Sequence, residues 1–215
     1  MKKKLPAIRS LHTVPARQRP SEDSWHNGAD IEVGLYARSL QKSAKLLLEN
    51  LDRMENPKTA WDAGPILILY RQAVELQLKF LAGEGGRFLS SPTDPLTLCK
   101  THSLRWLAQI VCQVIKAVQW EAEFKCEGVS NLTGFSALIA ELEAMEPVSA
   151  AIYAERTKKD LGEVPPQLRK AKVVAIASTL DGLIDLLAAT SDGLAATADL
   201  MELGAAGGGT KPVIH

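Results

Sequence analysis

The sequence has no net charge, few aromatic residues and few cysteines, and each shortage excludes a class of protein. Its 25 basic residues balance its 25 acidic ones, so it lacks the positive field with which proteins bind nucleic acid nonspecifically. Aromatic residues make up 5% of the 215 positions, and few segments show the alternation of apolar and polar residues that is typical of strands. The composition therefore favours an aliphatic, helical core.

The cysteines and the apolar segments bear on the cellular compartment. Cys99, Cys112 and Cys126 form neither a CxxC spacing nor an even set for disulfides, which predicts reduced thiols in the cytoplasm. No uninterrupted apolar run reaches the ~18 residues typical of a membrane-spanning helix, and the basic N-terminus lacks the apolar core of a signal peptide. We therefore expect no association with a membrane.

The short motifs of nucleotide-binding and hydrolytic enzymes are also missing. The chain contains no GxGxxG, P-loop, HExxH or GxSxG sequence. Of its four histidines, His12, His26 and His215 fall in predicted tails, whereas a zinc site needs several nitrogen or sulfur ligands held together. We expect neither a metal ion nor a cofactor.

Apolar residues recur at helical spacing through most of the chain, which predicts one all-α domain over residues 31–203. We expect an up-and-down bundle of about five helices, between an irregular basic tail (residues 1–30) and a flexible glycine-rich tail (residues 204–215). The predicted helices cover residues 31–54, 64–83, 102–119, 130–146 and 167–189, with a further short helix reaching residue 203.

Several local features follow from the same patterns. Gly83 is expected to end the second helix as a left-handed cap, Thr101 to cap the third, and Thr190 to Gly193 to kink or cap the last. In the first helix one stripe is expected to face the core, and it comprises Val33, Tyr36, Leu40, Ala44, Leu47, Leu51 and Met54.

The second helix, GPILILYRQAVELQLKFLAG, is apolar nearly all round yet carries three charged residues. Arg71, Glu75 and Lys79 are spaced four apart, so they share one face. A charge on a buried helix must be paired, face solvent or face a ligand. One interpretation is therefore a ladder of ion pairs within the helix, and the other is a polar patch in a ligand-binding groove.

His102 opens the third helix and can fold back towards this stripe. It is either a packed histidine with both ring nitrogens satisfied, or a general base that Glu75 orients while Arg71 or Lys79 holds a phosphate. A helix N-terminus also offers N–H groups to an anion, and Lys100 is an alternative phosphate contact. The candidate catalytic residues are His102 and Glu75, and the candidate ligand-binding residues are Arg71, Glu75, Lys79, His102 and Arg105.

The run YRQAVELQLKFLAG, followed by a loop and then THSLRWL, resembles the HEPN-like superfamily. Its members often carry a helix of the form RxAxExxLKxL and then a helix that begins HxL. The matching residues are Arg71, Ala73, Glu75, Leu78, Lys79, Leu81, His102 and Leu104. The later stretch MEPVSAAIYAERTKKDLGEVPP is similar to the segment that many bacterial members carry before their last helix, although Tyr153 alone matches their FRYP-type motif. The resemblance covers residues 33–190.

The resemblance implies a helical bundle, often dimeric, of a kind found in toxin–antitoxin, abortive-infection and RNA-processing systems. Some members are metal-independent RNases, whose signature is an arginine followed after four to six residues by a histidine on a late helix. In this chain the only such spacing joins Arg19 to His26, outside the predicted bundle. We therefore expect a non-catalytic or degenerate member, a homodimer that binds a nucleotide, RNA or a protein partner.

Two alternatives stay open. One is a metal-independent RNase with an unconventional site around His102, and the other is a purely structural module that dimerises through its first or last helix. Burial distinguishes them, because a charged stripe that is open to solvent beside His102 favours ligand binding. Side chains that pair with each other under packed neighbours favour a structural role.

Overall fold

A computed structural model describes residues 29–53, 60–144 and 170–207, and these residues form six α-helices. The helices are α1 (Ala29–Arg53), α2 (Ala60–Gly85), α3 (Pro95–Lys100), α4 (Leu104–Ala117), α5 (Leu132–Ala144) and α6 (Lys170–Gly207). Within these ranges the β pairing is limited to an isolated bridge between Cys126 and Val129. The predicted all-α class is confirmed.

The second helix, α2, lies at the centre of the bundle. It packs against α1, α4 and α6 and also contacts the short α3, whereas α5 packs on α4. Its apolar side chains are buried in successive turns, among them Ile66, Tyr70, Val74 and Leu78. A helix that is apolar nearly all round thus lies where neighbouring helices cover most of its surface, and Ile68 is its exposed large apolar residue among those described.

Two predicted helix ends are wrong for local reasons. Gly83 does not end α2, because the helix continues to Gly85, whose φ of −73° and ψ of −16° are helical. Ser103 rather than Thr101 caps α4, since its hydroxyl accepts the N–H of Trp106 at 3.3 Å.

The segment predicted as a loop after α2 contains a short helix. A short 3-10 turn, Gly86–Phe88, follows α2, and α3 begins seven residues later at Pro95. The carboxylate of Asp94 accepts the N–H of Thr97 at 2.9 Å, and proline is well suited to the first turn of a helix. Thr101 is the residue that ends α3.

The last helix, α6, is one continuous helix of 38 residues where a kink or cap was expected. The hydroxyls of Thr190 and Ser191 donate to carbonyls one turn back, at 2.7 and 3.0 Å, so they do not cap a new helix. The helix also continues to Gly207, into the region predicted as a flexible tail. Near the start of this helix Val173 is buried, whereas its neighbour Val174 is exposed.

The stripe of α1 that was predicted to face the core is only partly buried. Ala44 and Leu51 are buried as expected, but Tyr36 and Leu47 are exposed. Gln41, which lies off that stripe, is buried instead. The helix is therefore rotated relative to its most apolar face.

Part of α6, Val173–Met201, is long and apolar enough to cross a membrane by length and composition alone. A helix in the core of a water-soluble bundle meets the same two criteria, and 44% of the most apolar window of this helix is buried within the protein. Asp181 and Asp185 of α6 bond to side chains of α1 and α2. In this structure α6 is a core helix.

Some predictions fall outside the described residues. These are the basic tail up to residue 28, which contains His12, Arg19 and His26, the segment around Tyr153, and the end of the glycine-rich tail from residue 208.

Gly85 permits a close approach of α2 to α4, because a Cβ at this position would lie 2.4 Å from Cγ1 of Val114. We expect Gly85→Ala to lower the free energy of unfolding by about 1–3 kcal/mol, since Val114 would have to move. Gly83→Ala is the matched control in the same helix, because no atom lies within 4 Å of its added Cβ. Helix propensity should then raise its stability by roughly 0.5–1 kcal/mol. Urea denaturation followed by circular dichroism measures both, and equal shifts would contradict the close approach.

Candidate functional site

The three charged residues of α2 meet at the carboxylate of Glu75, of which 1% is exposed. Arg71 donates from Nη1 to Oε2 of this carboxylate at 3.3 Å, and Lys79 donates from Nζ to Oε1 at 2.9 Å. The two cationic side chains are themselves 15% and 14% exposed. The spacing of four residues therefore produces a ladder of ion pairs, and it lies largely out of water.

His102 reaches the same carboxylate from the connection between α3 and α4. Its Nδ1 lies 2.9 Å from Oε1 of Glu75, yet 74% of its side chain is exposed. A carboxylate accepts, so this bond favours a hydrogen on Nδ1 and leaves Nε2 outside the contact. We call Arg71, Glu75, Lys79 and His102 the Glu75 cluster.

Lys79 also fixes the position of the connection that carries His102. Its Nζ donates to the carbonyl of Cys99 at 3.1 Å, in the last turn of α3. Carbonyls at a helix C-terminus lack partners within the helix, and a lysine there is favourable. One ammonium group thus joins Glu75 to the end of α3, three residues before His102.

Arg105, the fifth predicted ligand-binding residue, pairs with α5. Its Nε lies 2.9 Å from Oε2 of Glu143, whose Oε1 also accepts the hydroxyl of Ser103 at 3.0 Å. The N–H of Arg105 points at the same carboxylate, at 3.5 Å. The N-terminus of α4, which was expected to offer N–H groups to an anion, is therefore already occupied by a carboxylate of the protein itself.

A second polar cluster, which was not predicted from the sequence, joins α1, α2 and α6. Tyr70 is fully buried, and its hydroxyl donates to Oδ2 of Asp181 at 2.9 Å. Gln41 and Lys45 of α1 donate to Oδ1 of the same carboxylate at 3.1 and 3.2 Å. Burial raises the pKa of the Tyr70 phenol, and its hydrogen bond to Asp181 raises it further. Tyr70 is therefore a neutral hydrogen-bond donor in the core.

Asp185 extends this second cluster by one turn of α6. It accepts a hydrogen bond from Gln41 at 3.2 Å and pairs with Arg38. Because Arg38 contacts Asp185 whereas Lys45 contacts Asp181, α1 and α6 run antiparallel. The sequence contained a signal of this cluster, namely two aspartates four residues apart within an apolar stretch of the last helix, a spacing like that of the charged stripe of α2.

The geometry divides the Glu75 cluster into two parts. Arg71 and Lys79 are bonded to Glu75 and mostly buried, as expected for a structural ladder. His102 alone presents a largely exposed polar ring. A carboxylate that holds an imidazole by Nδ1 is an arrangement that orients histidine for proton transfer or for binding a ligand.

Within the described residues, no three His, Cys, Asp or Glu side chains lie together as they would around a metal ion. No protein-family model matches this chain, and no curated protein or solved structure gives a significant match. The case for a function therefore depends on the geometry of the Glu75 cluster.

We expect Glu75→Gln to lower the free energy of unfolding by about 3–5 kcal/mol, because it removes the buried negative charge with which both Arg71 and Lys79 pair. Glu141→Gln removes the same negative charge at a solvent-exposed position of α5. It should change the free energy of unfolding by less than about 0.5 kcal/mol. Urea denaturation of the two variants beside wild type checks this. A similar, small effect of both substitutions would show that the ladder does not stabilise the fold.

Proposed function

We propose that the protein is a HEPN-like helical module that binds the phosphate of a nucleotide or RNA at His102, in a cytoplasmic defence or toxin–antitoxin system. One observation carries the proposal, namely that a fully buried carboxylate holds an exposed imidazole by Nδ1. Three mostly buried charged side chains of α2, Arg71, Glu75 and Lys79, thus hold the exposed imidazole of His102 in place.

The held imidazole has the properties of an anion ligand. Its bond to Glu75 limits the freedom of the ring, which lowers the entropic cost of binding. When protonated, it donates from Nε2 to a phosphate oxygen in a charge-assisted hydrogen bond. Lys100 lies two residues before His102 and is exposed, so it adds positive charge beside it.

The proposed ligand contacts differ from the set expected from the sequence. Arg71 and Lys79 act through Glu75, as residues that position His102. Arg105 reaches a phosphate by exchanging its carboxylate partner, Glu143, for the ligand. The contacts that we propose for the phosphate are therefore His102, Lys100 and Arg105.

The Glu75–His102 pair also favours a second candidate function, a metal-independent RNase. A general base needs a carboxylate or carbonyl to fix its tautomer, and Glu75 supplies one at 2.9 Å. His102 would then accept the proton of an RNA 2′-hydroxyl as that oxygen attacks the adjacent phosphorus. A 2′,3′-cyclic phosphate forms, the bond from phosphorus to the 5′-oxygen breaks, and the leaving 5′-oxygen takes a proton from water. Stabilisation of the developing negative charge falls to Lys100 rather than to Arg71 or Lys79, because those two are bonded to Glu75.

For the binding function, we expect wild type to bind adenosine monophosphate or a short RNA with a Kd on the order of 10–1000 μM. His102→Ala should weaken this affinity at least tenfold, since it removes the oriented donor. Lys116→Ala, which removes an exposed cation at the far end of α4, is the control and should change the affinity less than about twofold. Isothermal titration calorimetry measures all three. Binding that His102→Ala leaves intact would exclude this site.

The catalytic candidate is tested by measuring RNA cleavage by wild type and by His102→Ala in the presence of EDTA. If the protein only binds RNA, as we propose first, cleavage by wild type should not exceed the level of the variant. Cleavage by wild type that disappears in the variant would instead establish an RNase with His102 as its base. If the protein neither binds nor cleaves RNA, the third interpretation, a purely structural module, is left.

A further inference from the structure

The first helix directs four of its large apolar side chains into solvent. Leu35, Tyr36, Leu46 and Leu47 are 63%, 59%, 58% and 40% exposed, whereas the buried face of α1 includes alanines and a glutamine. Single exposed leucines are common on protein surfaces and need no explanation. Four large apolar residues on one helix are a different feature, because they form two apolar patches on the same helix face.

These four residues share one face of α1. Leu35 and Leu46 are eleven residues apart, as are Tyr36 and Leu47, and eleven residues make about three helical turns. Between the two pairs lie Ser39 and Ser43, whose hydroxyls donate to carbonyls of α1 itself at 3.0 and 2.9 Å. The face thus has bulky apolar ends and a shallow centre whose hydroxyls already have acceptors.

Two opposite charges border this face. Lys42 and Glu49 are exposed, seven residues apart and on one side of it, and neither makes an ion pair with another described residue. In a parallel pair of α1 helices, the twofold axis would place these charges of the two copies on opposite sides of the interface, so they would not meet. In an antiparallel pair, Lys42 of one copy lies beside Glu49 of the other, and the reverse contact follows from the symmetry.

We propose that this face binds a second copy of the chain, with the two α1 helices antiparallel about a twofold axis. In the register that pairs Lys42 with Glu49, Leu46 of each copy covers the small Ser43 of the other near the axis. The face is therefore complementary to itself in shape as well as in charge.

The same register also uses the outer end of the face. Tyr36 then lies beside the exposed Arg53 of the second copy, so an aromatic ring meets a guanidinium at each end of the interface. One pair of helices buries less surface than a standard interface, so we expect a Kd on the order of 10 μM. This inference is independent of what binds at His102.

Sedimentation velocity of the full chain, over roughly 1 to 300 μM, tests the proposal. Wild type should shift from monomer to dimer across this range, and Leu46→Glu should stay monomeric throughout. Leu96→Glu is the matched control, since Leu96 is 54% exposed on α3 and should leave the dimer intact. A monomeric wild type, or a dimer that Leu46→Glu does not affect, would overturn the proposal and leave the face to another partner.

A charge exchange tests the antiparallel register. Lys42→Glu and Glu49→Lys should each weaken the dimer by roughly tenfold, because each creates two like-charge contacts. The double variant Lys42→Glu/Glu49→Lys should restore the wild-type Kd. Thermal melts of each variant confirm that the bundle is folded. A double variant as weak as the single ones would exclude this register.

Discussion

The need to neutralise one buried carboxylate organises the candidate site. The central helix α2 is enclosed by its neighbours, so Glu75 loses water and depends on groups of the protein for its hydrogen bonds. Arg71 and Lys79 can supply them because residues four apart share one helix face. Lys79 then also holds the end of α3, and His102 approaches from the connection that follows. The contacts of a single side chain thus fix where the next segment of the chain lies.

The same requirement recurs where α1, α2 and α6 meet. Asp181 accepts hydrogen bonds from Tyr70 of α2 and from Gln41 of α1, and Lys45 adds a cation at the rim. Purely apolar faces can slide past one another at little cost, whereas each of these polar groups has few partners within reach. A satisfied network of this kind favours one register of the three helices. It also explains why α1 buries Gln41, a residue that its apolar pattern places outside the core.

Two surfaces of different character result from these constraints. At His102 the protein supports an exposed, oriented imidazole on a buried ion-pair ladder, and this arrangement supports the proposed phosphate site. On α1, the polar bonds to α6 turn the helix so that Tyr36 and Leu47 face outwards with their neighbours. The exposed apolar face of α1 therefore results from the hydrogen bonds that polar groups form between α1 and α6. It supports the proposed dimer independently of the surface at His102.

The sequence by itself determined the features that depend on neighbouring residues. The all-α class, the positions of the long helices and the shared face of Arg71, Glu75 and Lys79 follow from spacings within a few turns. Only the tertiary structure decided which face of α1 is buried, because the partner of Gln41 lies 140 residues away. It likewise decided that Arg105 pairs with Glu143, 38 residues away in sequence, rather than joining the Glu75 cluster. Local periodicity has no information on such distant partners, and a buried polar group can outweigh the apolar pattern of its own helix because leaving it unpaired costs more.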